Sequence, residues 1–283
     1  MEKSRPYYTY LYITVIYLYP SLRPRMRGHY FRAKPESKNG SVCIIIRMKN
    51  KIKIFIGTCT RNLQAEIALE YSIRKNTNSD IEIVWMRDTP GNKIFHGWNK
   101  DNWGTGFTPF RWIVPELCNF KGRAIYMDVD VLCLGDIQEL WEMSIPEDKV
   151  VVSLPGNYSV MLFDCERFGK MVNTKPISDF RRSSCSPAFK GLYNDYVTQL
   201  KSNNLVASLG VEWNSLDRLD YTEHPYRWQR PAKLIHYTQK DTQPWCPYPD
   251  RHQYRRHART ECELLWYQIY DEAVKSLLDD GAI

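Results

Sequence analysis

No two of the eight cysteines are spaced Cys-x-x-Cys: Cys43, Cys59, Cys118, Cys133, Cys165, Cys185, Cys246 and Cys262 are scattered, mostly in apolar surroundings. That scatter excludes a zinc site and a disulfide framework, and it marks small buried hydrophobes in a reducing, cytoplasmic setting. Internal repeats and low-complexity blocks are also missing. So is an apolar run of the roughly 20 residues that a bilayer span requires. The nearest approach, Tyr7–Leu22, is diluted by six tyrosines, holds Pro20 and is followed by Arg23, Arg25 and Arg27. It is expected to be a disordered leader or a weak signal anchor, so membrane association is weak.

Basic charge is short where a nucleic-acid grip would need it. The whole chain carries +7, yet residues 1–53 hold twelve Lys and Arg against Glu2 and Glu36, so the remainder is three negative. A duplex-gripping face on the folded body is therefore excluded, and no nucleic-acid partner is expected. The expected organisation is a basic N-terminal extension, 1–50, followed by a single folded domain, 51–283. Met48 reads as a natural start for that domain, just ahead of its first strand.

What is present is a well-packed globular chain of 283 residues, 43% hydrophobic and 13% aromatic. From residue 52 onward apolar runs alternate with helical periodicity. Strands are predicted at 52–58, 81–86, 124–127, 150–154, 159–163 and 233–237, and helices at 63–75, 110–117, 137–143, 166–172 and 263–278. Residues 173–190, polar and rich in Ser, Arg and Pro, read as a mobile loop. This order implies an α/β fold with a mainly parallel sheet flanked by helices, which binds ligands beyond the carboxyl ends of its strands.

The run Arg123-Ala-Ile-Tyr-Met-Asp128-Val129-Asp130-Val-Leu ends such a strand on two carboxylates. Charge leaving a buried strand is costly unless a cation or a donor array meets it. Carboxylates at i and i+2 of an extended chain project to one side, so both can address one divalent ion. His236, at the end of the last predicted strand, can add an imidazole ligand of the kind Mn²⁺ accepts. Lys240 follows as a phosphate-neutralising candidate, and Arg111, whose guanidinium fork suits a diphosphate, precedes the acidic strand. Trp98, Trp103, Tyr226 and Trp228 are candidates for stacking on a glycan, weighed equally against core packing.

Several pieces in order resemble family 8 of the GT-A-fold glycosyltransferases, the group that includes glycogenin and bacterial lipopolysaccharide galactosyltransferases. They are Phe55-Ile-Gly-Thr58 with Gln64-Ala65, Phe110-Arg111-Trp-Ile-Val-Pro-Glu-Leu, Asp128-Val-Asp130, Asn157-Tyr-Ser-Val-Met-Leu-Phe-Asp, Leu209-Gly-Val-Glu-Trp213-Asn214, and His236-Tyr through Pro244-Trp245. The resemblance implies a GT-A (Rossmann-like) fold and a Mn²⁺- or Mg²⁺-dependent, retaining transfer of a hexose from a nucleotide-sugar, UDP-linked donor to a glycan or other hydroxyl acceptor. By it Asp128, Asp130 and His236 hold the metal, and Thr58, Thr60, Gln64, Asp128, Val129 and Lys240 meet the nucleotide. Arg111 contacts the diphosphate sugar, and Asn157 and Asn194 or Asp195 contact the transferred sugar. The closing loop is one residue longer than the family pattern, lacks its Gly after the His and places Lys240 early. Ser159 stands where the pattern has a Gly, and the usual Asp-Gln pair near Asn194-Asp195 is not preserved.

Two other classes compete. A phosphatase of the haloacid dehalogenase type would use Asp128 as nucleophile, and a non-enzymatic module would hold anions through Arg23 to Arg32. An inverting transferase would instead need a carboxylate base, with Asp195 or Asp164 as candidates.

Overall fold

The computed structural model describes residues 51–98, 105–179, 189–217, 232–245 and 260–281, without the side chains of 189–193 and 260. The expected extension, 1–50, lies outside these residues. Asn50–Tyr270 is one compact unit and carries everything below; from Asp271 onward the chain belongs to a second unit, of which the end of the last helix is described.

Strand β1 (Ile52–Thr58) is apolar nearly throughout, as a strand covered on both faces must be, and only Lys51, Lys53 and the residues after Thr58 reach solvent freely. Helix α1 (Leu63–Lys75) buries Ala65, Ala68, Leu69 and Ile73 along one stripe and ends on Arg74 and Lys75, which complement its carboxyl-terminal dipole. Strand β2 (Ile81–Arg87) returns parallel to β1, completing a βαβ unit. β3 (Arg123–Asp128) lies parallel on the other side of β1, with Ala124, Ile125, Tyr126 and Met127 wholly inaccessible. Burial of Ile125 and Met127 contributes roughly 1.5–3 kcal/mol each.

The main sheet has the order β2-β1-β3-β6-β5-β7. The hairpin of β5 (Val151–Leu154) and β6 (Asn157–Asp164) turns at Gly156, whose φ of +79° suits glycine. β6 is antiparallel to both neighbours, and β7 (Val206–Ser208) is parallel to β5, so five of the six strands run one way. The reversed β6 therefore brings its amino end, with Asn157, to the edge where β1 and β3 end. A small second sheet, β4-β9-β8, stands beyond that edge and is formed by β4 (Val131–Cys133), β8 (Ser215–Leu216) and β9 (Leu234–His236).

The predicted helix 110–117 is divided. A 3-10 helix, Thr108–Ile113, precedes α2 (Val114–Leu117), because Pro115 has no N–H to continue the ladder and sits in the first turn of the new helix. Helices α3 (Ile137–Glu142) and α4 (Cys165–Met171) start on Asp136 and Asp164, whose carboxylates accept backbone N–H groups at 2.9 Å. Helix α5 (Phe189–Ser202) was not foreseen; it begins where an irregular loop was expected. The last helix, α6 (Thr260–Asp279), starts three residues earlier than predicted. No helix among the described residues is long and apolar enough to cross a membrane.

Candidate active site

Asp128 is the last residue of β3, and Asp130 lies in the turn that leads into β4. The turn is tied to β1, since Val129 N–H donates to the Gly57 carbonyl at 3.0 Å. His236 ends β9, which pairs antiparallel with β4 so that Val131 faces His236. Side chains more than 100 residues apart in sequence thus converge, and one ligand atom from each of Asp128, Asp130 and His236 lies within 4.8 Å of the others.

Asp128 is buried, and its charge is met from two sides. Arg111 Nη2 lies 3.0 and 3.1 Å from its two carboxylate oxygens, and Tyr126 Oη donates to Oδ1 at 2.5 Å. The Tyr126 ring also lies under the guanidinium, 5.2 Å from centroid to Cζ. The remaining nitrogens of Arg111 donate to the carbonyls of Tyr158 (Nη1, 2.7 Å) and Thr108 (Nε, 2.9 Å). Arg111, expected to contact the diphosphate sugar, lies buried against Asp128 as its counter-charge. Burial pushes the Asp128 carboxyl up, and Arg111 draws it back only in part.

His236 Nδ1 lies 2.9 Å from Asn214 Oδ1, and Nε2 lies 3.4 Å from Asp130 Oδ1. The amide oxygen can only accept, so Nδ1 carries the proton and a neutral ring turns its Nε2 lone pair toward Asp130. Burial, the largest influence, would depress the imidazole, but the carboxylates of Asp130, Asp128 and Asp217 together outweigh it and raise the ring above its ordinary 6.5. Asp130 Oδ1 is buried without a hydrogen-bond donor. An orphaned carboxylate oxygen beside a second carboxylate and an imidazole fits a divalent cation, and this O, O, N set suits Mn²⁺ or Mg²⁺ better than a thiophilic metal.

The closing loop, 237–245, is tied to the acidic turn and to α6. Tyr237 N–H donates to the Asp130 carbonyl at 2.8 Å, and its hydroxyl donates to the Cys262 carbonyl at 2.9 Å. Tyr267 Oη donates to the Pro244 carbonyl at 3.0 Å, Trp245 Nε1 donates to Asn62 Oδ1 at 3.2 Å, and the rings of Trp245 and Trp266 lie 5.4 Å apart. Gln243 Nε2 donates to the Tyr237 carbonyl at 2.7 Å and to Asp130 Oδ2 at 3.3 Å. Lys240, Val129, Asp130, Gln243, Asn62 and Trp245 border a cavity of about 10 Å³, on the order of a single water.

The other expected residues divide. Asn157 sits on the same edge, its Oδ1 accepting the Ser159 N–H at 3.0 Å. Thr58 is buried and donates its hydroxyl to Glu66 Oε1 at 2.7 Å, away from solvent; Glu66 also pairs with Arg87. Thr60 is exposed just after β1, and Gln64 is half-buried in the first turn of α1. Asn194 and Asp195 are exposed on α5, and Asp195 borders a separate cavity of about 440 Å³ with Asn173, Lys175, Tyr196, Thr198 and Gln199. None of Asp128, Asp130 and His236 lines it. Asp164 caps α4, pairs with Arg167 and faces Arg123 at the opposite end of the sheet, which removes it as a base. Trp98 is core, packed edge-on against Phe110 at 5.0 Å. Trp103, Tyr226 and Trp228 lie outside the described residues. Sequence reasoning missed Tyr126, Asn214 and Gln243 as members of the site. Tyr126, two residues before Asp128, carried the one available signal, since i and i+2 share a strand face.

Residues 65–176, which hold Arg111, Asp128, Asp130 and Asn157, match the family model Glycosyl transferase family 8. Over this part the chain is similar to family 8 glycosyltransferases. No curated protein matches the chain by sequence. Among solved structures, the apo-form glycosyltransferase GlyE of Streptococcus pneumoniae TIGR4 is similar over 82% of this chain, with 16% identity and a TM-score of 0.53. The galactosyltransferase LgtC, solved with donor and acceptor sugar analogs, is similar over 78% of this chain and 96% of its own, with 13% identity and a TM-score of 0.52. At those identities the likeness is one of fold, and the chain spans 64% of the length of the GlyE chain. The glycosyltransferase match, together with both Asp128 oxygens being held by Arg111 and Tyr126, displaces the phosphatase alternative. The basic segment Arg23 to Arg32, on which an anion-binding module would depend, lies outside the described residues.

Proposed function

We propose that the protein is a metal-dependent hexosyltransferase that moves a sugar from a nucleotide-sugar donor, a UDP-sugar, to a hydroxyl of a glycan or glycoconjugate. The observation that carries this reading is the convergence of Asp128, Asp130 and His236 at the carboxyl edge of the sheet, with an orphaned buried oxygen among them. Asp128, Asp130 and His236 would hold the cation, which when bound supplies positive charge against the negative charge that develops on the departing diphosphate.

The chain's own residues then divide the remaining work. Arg111 and Tyr126 orient Asp128, and Asn214 fixes the tautomer that leaves His236 Nε2 available. Asn157, brought to this edge by the reversed β6, is placed to hydrogen-bond the transferred sugar. Val129 and Lys240 stand beside Asp130, where a nucleotide and its phosphates would approach. Retention is favoured because the two base candidates are poorly placed: Asp164 lies at the opposite end of the sheet, and Asp195 is exposed beside a separate cavity. Among the described residues, Cys59, Cys118, Cys133, Cys165 and Cys262 form no disulfide, which is compatible with a reducing setting.

Thermal stabilisation by a panel of UDP-sugars, with and without Mn²⁺, identifies the donor, and hydrolysis or transfer is then assayed with it. The Asp130→Ala variant is expected to lose metal-dependent turnover. Full activity of that variant at saturating Mn²⁺ would remove the site.

A further inference from the structure

Gln243 is 2% exposed, and all of its hydrogen-bonding capacity on one side is accounted for. Its two amide hydrogens serve two groups that can only accept, the Tyr237 carbonyl at 2.7 Å and Asp130 Oδ2 at 3.3 Å. That pairing fixes the orientation of the amide, because a flip would set its oxygen against both acceptors. The consequence falls on Oε1, which is buried with no partner. A buried amide oxygen left unpaired is destabilising unless something in the functional state meets it. Asp130 Oδ1, on the same bridged carboxylate, also lacks a hydrogen bond, with His236 Nε2 3.4 Å away. Gln243 and Asp130 also border a small cavity the size of one water, which Lys240 lines and Asp128 and His236 do not.

We propose that Gln243 is a fourth side chain of the cation site: its N–H groups lock Asp130 to the closing loop, and its carbonyl oxygen is a neutral ligand for the ion. This rests on the metal-dependent reading above and extends it to a residue outside the matched family segment. A neutral amide is a hard oxygen donor compatible with Mn²⁺ and Mg²⁺, and it adds a ligand without further negative charge. It also explains why an uncharged residue with an idle oxygen lies buried against a carboxylate.

The test is direct binding of Mn²⁺ to the full-length protein, followed by electron paramagnetic resonance, for wild type, Asp130→Asn, Gln243→Leu and Gln243→Met. The Met variant conserves length and flexibility and guards against a failure of Leu to fold; near-ultraviolet circular dichroism checks both. Mn²⁺ affinity is expected to fall at least about tenfold in both Gln243 variants. Water-proton relaxation by the bound ion should rise, because water takes the position of the lost oxygen. Cd²⁺ affinity should fall less than Mn²⁺ affinity in Gln243→Met, since a thioether is a soft ligand. Equal loss of both metals with unchanged relaxation would overturn the ligand role, as would wild-type affinity in both variants. If wild-type binding is abolished by Asp130→Asn but untouched at Gln243, only this inference falls. If wild type shows no binding that depends on Asp130, the metal-dependent reading falls with it.

Discussion

Arg111 Nη2 sits 3.0 Å from one oxygen of Asp128 and 3.1 Å from the other, with both side chains more than nine-tenths buried. The pair is the foundation of the acidic turn, because without it β3 would end on an isolated charge inside the protein. Removing one partner of a buried pair strands the other, at a cost of about 3–5 kcal/mol. Arg111→Ala is therefore expected to lower unfolding free energy by that amount in urea titration and to abolish Mn²⁺ binding. Arg111→Lys, with a single point of charge, should recover only part of either. Wild-type stability in Arg111→Ala would show that the pair is not what holds the turn.

Asn214 never approaches the cation in the proposed site, yet it decides which nitrogen of His236 is free to bind. Asn214→Leu is expected to weaken Mn²⁺ affinity by about 10- to 100-fold. Asn214→Asp, which keeps an acceptor opposite Nδ1, should restore most of it. Isothermal titration of the three proteins compares them, and equal loss in both variants would mean that only packing is at stake.

Gly57 has room for nothing larger. A β-carbon there would lie 2.4 Å from Tyr126 Oη and 3.0 Å from Phe107. Gly57→Ala is expected to displace the Tyr126 hydroxyl from Asp128 and to destabilise by about 1–3 kcal/mol. Adding Tyr126→Phe removes the obstructing oxygen, so the double variant should be more stable than Gly57→Ala alone. Additive losses in thermal unfolding would count against this clash.

Acidity should oppose cation binding in a defined direction. His236 in the metal-free protein is raised above 6.5, so its pairing with Asp130 stabilises the fold fully below about that pH and is lost as pH climbs through the raised value. Asp128 is raised above 3.8, so its buried carboxylate increasingly burdens the metal-free fold at higher pH. A divalent ion needs both groups without protons. The gain in melting temperature on adding Mn²⁺ is thus expected to be small at pH 5.5 and to grow as pH is raised to 8. A gain that is flat or falls across that range would exclude His236 as a ligand.

The parts of this site legible in the sequence were those with local signatures. Strand 52–58 and helix 63–75 match their predicted bounds because an apolar run and a helical stripe are written in neighbouring residues. Asp128 and Asp130 announced themselves as charges at the end of a buried run, and His236 as the end of a short strand. What stayed hidden depends on tertiary pairing. That Arg111 meets Asp128, Tyr158 and Thr108 is visible only in the fold. Asn214 and Gln243 acquire roles only when β9 is laid against β4. Helix α5 escaped because its start follows a stretch rich in Ser and Pro that masks the periodicity beyond it.

Tyr237 works as a rivet. Its backbone fastens the acidic turn, while its ring crosses the interior to the carbonyl of Cys262, so a residue that touches no ion couples the grip on it to the far end of the polypeptide. Loosening at either place should be felt at the other, and amide protons of the turn and of the first turns of the final helix are expected to exchange with solvent as one cooperative unit.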